Sequence, residues 1–166
     1  MKKIIVGIVT LLTLSCCTKN YKVTSAIEGW WTIDTIYFKN YNIRTCLGDN
    51  SLFFHFDKKS HFPAARNNCG DVIKGSFDNT GLIELSHSNL QNDTIPFRLI
   101  IKTKNQLFSG TYRIAFDKDS KNHLLKMELI SDKLYVICRK GLFDYDDNAD
   151  FVNELEKITW TNRPKD

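Results

Sequence analysis

The sequence predicts an all-β protein, an eight-stranded antiparallel up-and-down barrel with one short C-terminal helix. Three observations carry that expectation. Past residue 26 almost every apolar run is short, alternates with polar residues and ends in a polar turn cluster, as antiparallel strands do. The runs of the last third, joined by short connections, each have one apolar and one mostly polar face, which makes a meander with one dry side. Gly29 is followed directly by Trp30 and Trp31, whose side chains must point to opposite faces of any strand, so both faces have to offer apolar cover. A closed sheet with one indole in its end meets that demand, and closure removes exposed edges.

Element by element, residues 29–38 form the first strand. Residues 51–57, SLFFHFD, set Leu52, Phe54 and Phe56 against Phe53, His55 and Asp57. Residues 72–77 and 82–86 flank the turn DNTG as a hairpin, and the preceding HFPAAR is a candidate ninth strand. Over 94–102, Phe97, Leu99 and Ile101 share a face, while Pro96 has no N–H to donate and belongs at the strand's start or on an edge. Residues 107–117 set Tyr112, Ile114 and Phe116 against Thr111, Arg113 and Ala115. Residues 124–130 set Leu125, Met127 and Leu129 against Lys126 and Glu128, and 134–139 is the last strand. After Gly141 the period changes. Phe151, Val152, Leu155 and Ile158 fall on one face of a helix over 149–158, with Asn148 as its cap and Asp150 in the first turn, where the helix dipole favours an acid.

The chain begins with Lys2 and Lys3, an apolar run from Ile4 to Leu14, and then Ser15-Cys16, the three parts of an export signal. As a helix that run spans only about 16 Å, roughly half a bilayer's hydrocarbon core, too short for a lasting transmembrane anchor. Thr13-Leu14-Ser15-Cys16 resembles the lipobox of bacterial lipoproteins, whose cysteine is lipidated and becomes the new N-terminus. Thr13 departs from the aliphatic residue usual there, and a frame ending at Cys17 is the alternative. The resemblance implies a signal peptide over 1–15, a lipid on Cys16, a tether over 16–26 and one barrel domain with its helix over 27–166. It further implies a place in the cell envelope, lipid-anchored to the periplasmic or surface face of a bacterial membrane. The polar stretch YKVTS, 21–25, reads as part of the tether. Without Lys2 and Lys3 the formal charge falls from +4 to +2, and the basic residues are scattered, which gives no nucleic-acid footprint.

Export makes disulfides available. Cys17 lies on the tether, and Cys138 lies within LYVIC, where a buried thiol is expected. Cys46 and Cys69 lie at loop-like sites, RTCLGDN and RNNCGD, and form the natural pair. A metal site built from these thiols with His55 or His61 lacks any close C-x-x-C or H-x-x-x-H spacing, so neither metal nor cofactor is expected.

Gly29-Trp30-Trp31 matches the G-x-W of lipocalins and related calycins. From Cys46 the chain reads C-x-x-D-N-x-L-x-F, continues through Asp57 and Phe62 to Cys69, and then gives Gly75-x-Phe77. This composite resembles the small bacterial lipocalin-like lipoproteins over roughly residues 27–140, with Phe77 where Trp is usual and no second lipocalin motif. The resemblance implies that Gly29, Trp31 and Arg139 pack the closed end, Trp31 beneath the Arg139 guanidinium. Trp30 then faces outward against the tether or the C-terminal helix.

No catalytic constellation is present in the sequence. His55, His61, His87 and His123 stand in different strands or turns without a nucleophile partner. The acids of 144–150 have D-x-D-x-N-x-D spacing, but Ala149 and Leu155 replace the glycine and glutamate of a calcium loop, and helix capping explains them. A non-enzymatic protein is expected, in one of two forms. One binds a small hydrophobic ligand among Phe54, Phe56, Phe97, Leu99, Tyr112 and Phe116. The other has a barrel filled by its own side chains and works through its surface, as an inhibitor or accessory subunit.

Overall fold

A computed structural model describes residues 21–66, 69, 78–87, 96–119 and 124–141. A helix over residues 21–27, α1, leads into β1 (Gly29–Phe38), β2 (Tyr41–Asn42), a 3-10 turn (Arg44–Cys46), β3 (Ser51–Phe54) and β4 (Ser60–His61). There follow β5 (Thr80–His87), β6 (Phe97–Thr103), β7 (Gly110–Asp119), β8 (Leu124–Ile130) and β9 (Leu134–Gly141). Each strand from β3 to β9 pairs antiparallel with the next, β1 pairs with β3, and β9 returns to β1. The eight strands β1 and β3–β9 are therefore a closed up-and-down barrel. The ninth, β2, is a hook on the far end of β1, made through Lys39 and Asn40 at φ 47° and 70°, the left-handed pair that a tight two-residue hairpin requires.

Alternation fills the inside. Leu52 and Phe54, Phe97, Leu99 and Ile101, Tyr112, Ile114 and Phe116, Leu125, Met127 and Leu129, and Leu134, Val136 and Cys138 are all buried on the inner face. Burying each large side chain stabilises by about 1.5–3 kcal/mol relative to exposure. In β1 the inward phase runs through Trp31 and Ile33. A bulge between Ile33 and Thr35 shifts the register against β9, and the phase resumes at Ile36.

Several boundaries differ from the sequence-based expectation. Residues 21–25 are not an extended tether but part of α1, because Val23, Ala26 and Ile27 stand at helical spacing and bury one face in the core. The third barrel place belongs to Ser60–His61, at the start of the candidate ninth strand, which pairs directly with β5. The partner strand expected over 72–77 lies outside the described residues, as do Gly75 and Phe77, Cys16 and Cys17, His123, the acids of 144–150 and the helix over 149–158. Pro96 sits just before β6, as its missing N–H requires.

Candidate functional site

The barrel has a floor, where α1 enters and β9 ends. The Trp31 indole is 1 % exposed and the adjacent Trp30 is 62 % exposed, so the two tryptophans do divide between inside and outside. Trp31 Nε1 donates to the Ile27 carbonyl at 2.7 Å, satisfying an end carbonyl of α1. The Lys140 ammonium stands 4.8 Å from the centre of the Trp31 ring and donates to the carbonyls of Ala26 and, at 3.0 Å, Glu28. A cation at the C-terminal end of a helix also meets the negative end of its dipole. Burial draws this ammonium down from its ordinary range to about 8.

The cation over the tryptophan is therefore Lys140 and not Arg139. Strand parity decides it: Leu134, Val136 and Cys138 point in, so Lys140 points in and Arg139 points out. Arg139 instead pairs its Nε with Asp34 Oδ1 at 2.8 Å on the outer wall. Gly29, at φ +106°, makes the corner between α1 and β1 in a conformation that L side chains rarely adopt, with open space where a Cβ would lie. Trp30 lies on Phe53, ring centres 4.8 Å apart, with His61 at 6.3 Å.

The opposite end is also stoppered. Phe108, in the β6–β7 turn, stacks on Phe62 at 5.6 Å, and Phe62 meets Phe54 edge-on at 6.1 Å. Asn105, fully buried, donates to the Pro63 carbonyl at 3.2 Å and accepts from the Leu107 N–H at 3.1 Å, which ties the turn to the segment after β4. The Tyr112 hydroxyl reaches up from the interior to donate to the Phe108 carbonyl at 2.8 Å, and burial pushes its pKa above the usual range. Between floor and stopper, Phe54, Phe97, Leu99, Tyr112 and Phe116 each have 0 % accessible surface, and Phe56, just past the end of β3, is partly buried against the same core. A water-sized sphere finds no room beside those five rings and chains, from outside or from a void.

Cys46 and Cys69 form the expected disulfide, Cα atoms 5.5 Å apart. It staples a flap in which Arg66 N–H donates to the Cys46 carbonyl and Gly48 N–H to the Ala64 carbonyl. Cys138 is a buried free thiol, its pKa pushed well up by burial. Among the described residues no cluster of His, Cys, Asp and Glu suits a metal, and no helix is long and apolar enough to cross a membrane. Two grooves are on the outer wall. One, of about 430 Å³, lies beside the disulfide flap between Arg44 and Arg66. The other, of about 560 Å³, lies over β6 and β7 and reaches the β8–β9 turn. Comparison of the chain with family models, curated proteins and solved structures finds no match.

Proposed function

We propose that the chain is a lipid-anchored protein of the bacterial cell envelope whose lipocalin-like barrel is filled by its own side chains and works through its outer surface. The observation that carries this reading is the absence of accessible surface at Phe54, Phe97, Leu99, Tyr112 and Phe116, five of the six positions at which an enclosed apolar ligand would touch the wall. Pockets for small ligands typically have ~300 Å³ or more. The grooves of that size found among the described residues lie outside the barrel. Export to an oxidising compartment is supported by the Cys46–Cys69 bond, of a kind rare where cytosolic thiols are kept reduced.

Native mass spectrometry of the full-length gene product, purified from its own envelope, tests both halves. The expected mass is the polypeptide from Cys16 with covalent acyl groups and nothing held non-covalently. A retained apolar molecule, lost when Leu99→Trp narrows the interior, would overturn the filled barrel, and an unmodified N-terminus would overturn the anchor.

A further inference from the structure

The smaller outer groove brings two cations together from separate segments and answers neither with an acid. Arg44 stands in the 3-10 turn, where its N–H donates to Asn42 Oδ1 at 3.1 Å and its carbonyl accepts from the Leu47 N–H at 3.3 Å. Its Nη1 donates to the Asp34 carbonyl at 2.9 Å, which steadies the guanidinium and, because a carbonyl is neutral, leaves the charge whole. Arg66 lines the same groove from the facing segment. There Leu47 and Ala65 form an antiparallel bridge, the Gly48 N–H donates to the Ala64 carbonyl at 2.7 Å, and the Arg66 N–H donates to the Cys46 carbonyl at 2.8 Å. The Cys46–Cys69 bond closes the loop behind Arg66, so both backbones are held. The acids nearby are already engaged. Asp34 gives its carboxylate to Arg139 at 2.8 Å. Asp49, which lines the groove, accepts from the N–H and the hydroxyl of Ser51 at 2.8 Å each and turns its other oxygen to His61 Nε2 at 3.8 Å. The ion pairs of the described residues include neither Arg44 nor Arg66.

We infer that this groove binds an oxyanion, the carboxylate or phosphate group of a small molecule, between the guanidinium groups of Arg44 and Arg66. A guanidinium carries five N–H donors in a planar fork that matches two oxygens of such a group, and Arg44 engages only one of its five with Asp34. The Thr45 hydroxyl and the Asn50 side-chain amide add neutral donors to the lining. Two guanidinium groups against the carboxylate of Asp49 leave one positive charge in excess, which a bound oxyanion neutralises. Because the flap fixes both backbones beforehand, binding orders little beyond the Arg66 side chain. The inference deepens the surface-acting reading and rests on it, since it names the class of ligand that the outer wall takes.

The test titrates the full-length protein in neutral detergent micelles at constant ionic strength. It follows the Arg side-chain N–H signals and the Thr45, Gly48 and Asn50 amides by NMR, with acetate as the first probe and inorganic phosphate as the second. Saturable shifts confined to the groove are expected, weakened about tenfold or more in Arg44→Gln and in Arg66→Gln. Arg113→Gln, which removes an exposed arginine outside this groove, should bind as wild type does. Saturation by acetate identifies a carboxylate ligand; saturation by phosphate alone identifies a phosphate ester. Shifts absent with both probes, as strong in either groove variant as in wild type, or weakened as much by Arg113→Gln, overturn the inference. A ligand found inside the barrel by native mass spectrometry would fell the surface-acting reading while leaving this titration as it was, so the two failures are distinguishable.

Discussion

Raising the pH from 7 to 9 should stabilise this protein, and Lys140 is the reason. Its ammonium is buried between α1 and the Trp31 ring, where the folded state holds the proton only up to about pH 8, against 10.5 for the free side chain. Below pH 8 both states are protonated, and the folded state bears the cost of a buried charge. Between 8 and 10.5 the folded state releases the proton and the unfolded chain keeps it. The unfolded state then binds more protons, and stability rises with pH. Integrated from pH 7 to 9, this single group contributes about 1 kcal/mol. The Cys138 thiol works in the opposite direction, since its raised folded pKa makes ionisation of the unfolded chain destabilising from about pH 9 upward. Lys133, lowered by burial, adds in the same direction as Lys140. Urea unfolding of wild type and Lys140→Met at pH 7, 8 and 9 separates these groups, because the variant keeps Cys138 and Lys133 and loses only the Lys140 slope. The midpoint of wild type should climb relative to that of the variant by an amount worth about 1 kcal/mol over the range. Parallel pH dependences in the two proteins would refute the buried cation at the floor.

Other consequences follow from packing and covalent closure. The Cys46–Cys69 bond spans 23 residues, so the double replacement by Ser should cost about 3 kcal/mol in the chain-entropy account, measured by denaturant unfolding; an unchanged midpoint would mean that the flap is held by its backbone bonds alone. Trp31→Phe leaves the Ile27 carbonyl without its donor and the floor short of one ring, a loss of about 2–4 kcal/mol in the same assay. At Gly81 a Cβ would lie 2.7 Å from Thr103 Cβ and 2.8 Å from the Lys102 carbonyl, so Gly81→Ala should destabilise by about 1–3 kcal/mol and slow exchange should be lost from the β5–β6 amides. A melting temperature equal to that of wild type would show that the two strands separate at no cost.

The inner wall was legible in the sequence because a period of two is a local signal. Leu125, Met127 and Leu129 against Lys126 and Glu128 needs nothing but the strand itself, and the same holds for β6 and β7. Position on the chain was also enough for the disulfide, since two loop-borne cysteines behind a segment that reads as an export signal have few other uses. The floor was legible only in part. Trp31 is identifiable from Gly29 and its phase with Ile33, but the family resemblance puts its cation one residue short, at Arg139, although the alternation that puts Cys138 inside also puts Lys140 inside. Helix α1 hid for a different reason. Its apolar face is only Val23, Ala26 and Ile27, a single turn's worth, too weak to hold a helix without the barrel beneath it. Its carbonyls are satisfied by an indole and an ammonium that arrive from β1 and, more than a hundred residues later, from β9. No window short enough to show a helical period contains those partners. The two arginines of the flap are a third kind of case: Arg44 and Arg66 are each unremarkable exposed residues of their own segment, and only the pairing of residues 46–48 with 64–66 brings them to one groove. A one-residue slip in that pairing would also turn Leu47 or Ala65 to the outside, so the same constraint that keeps those two side chains dry holds both arginines at the groove.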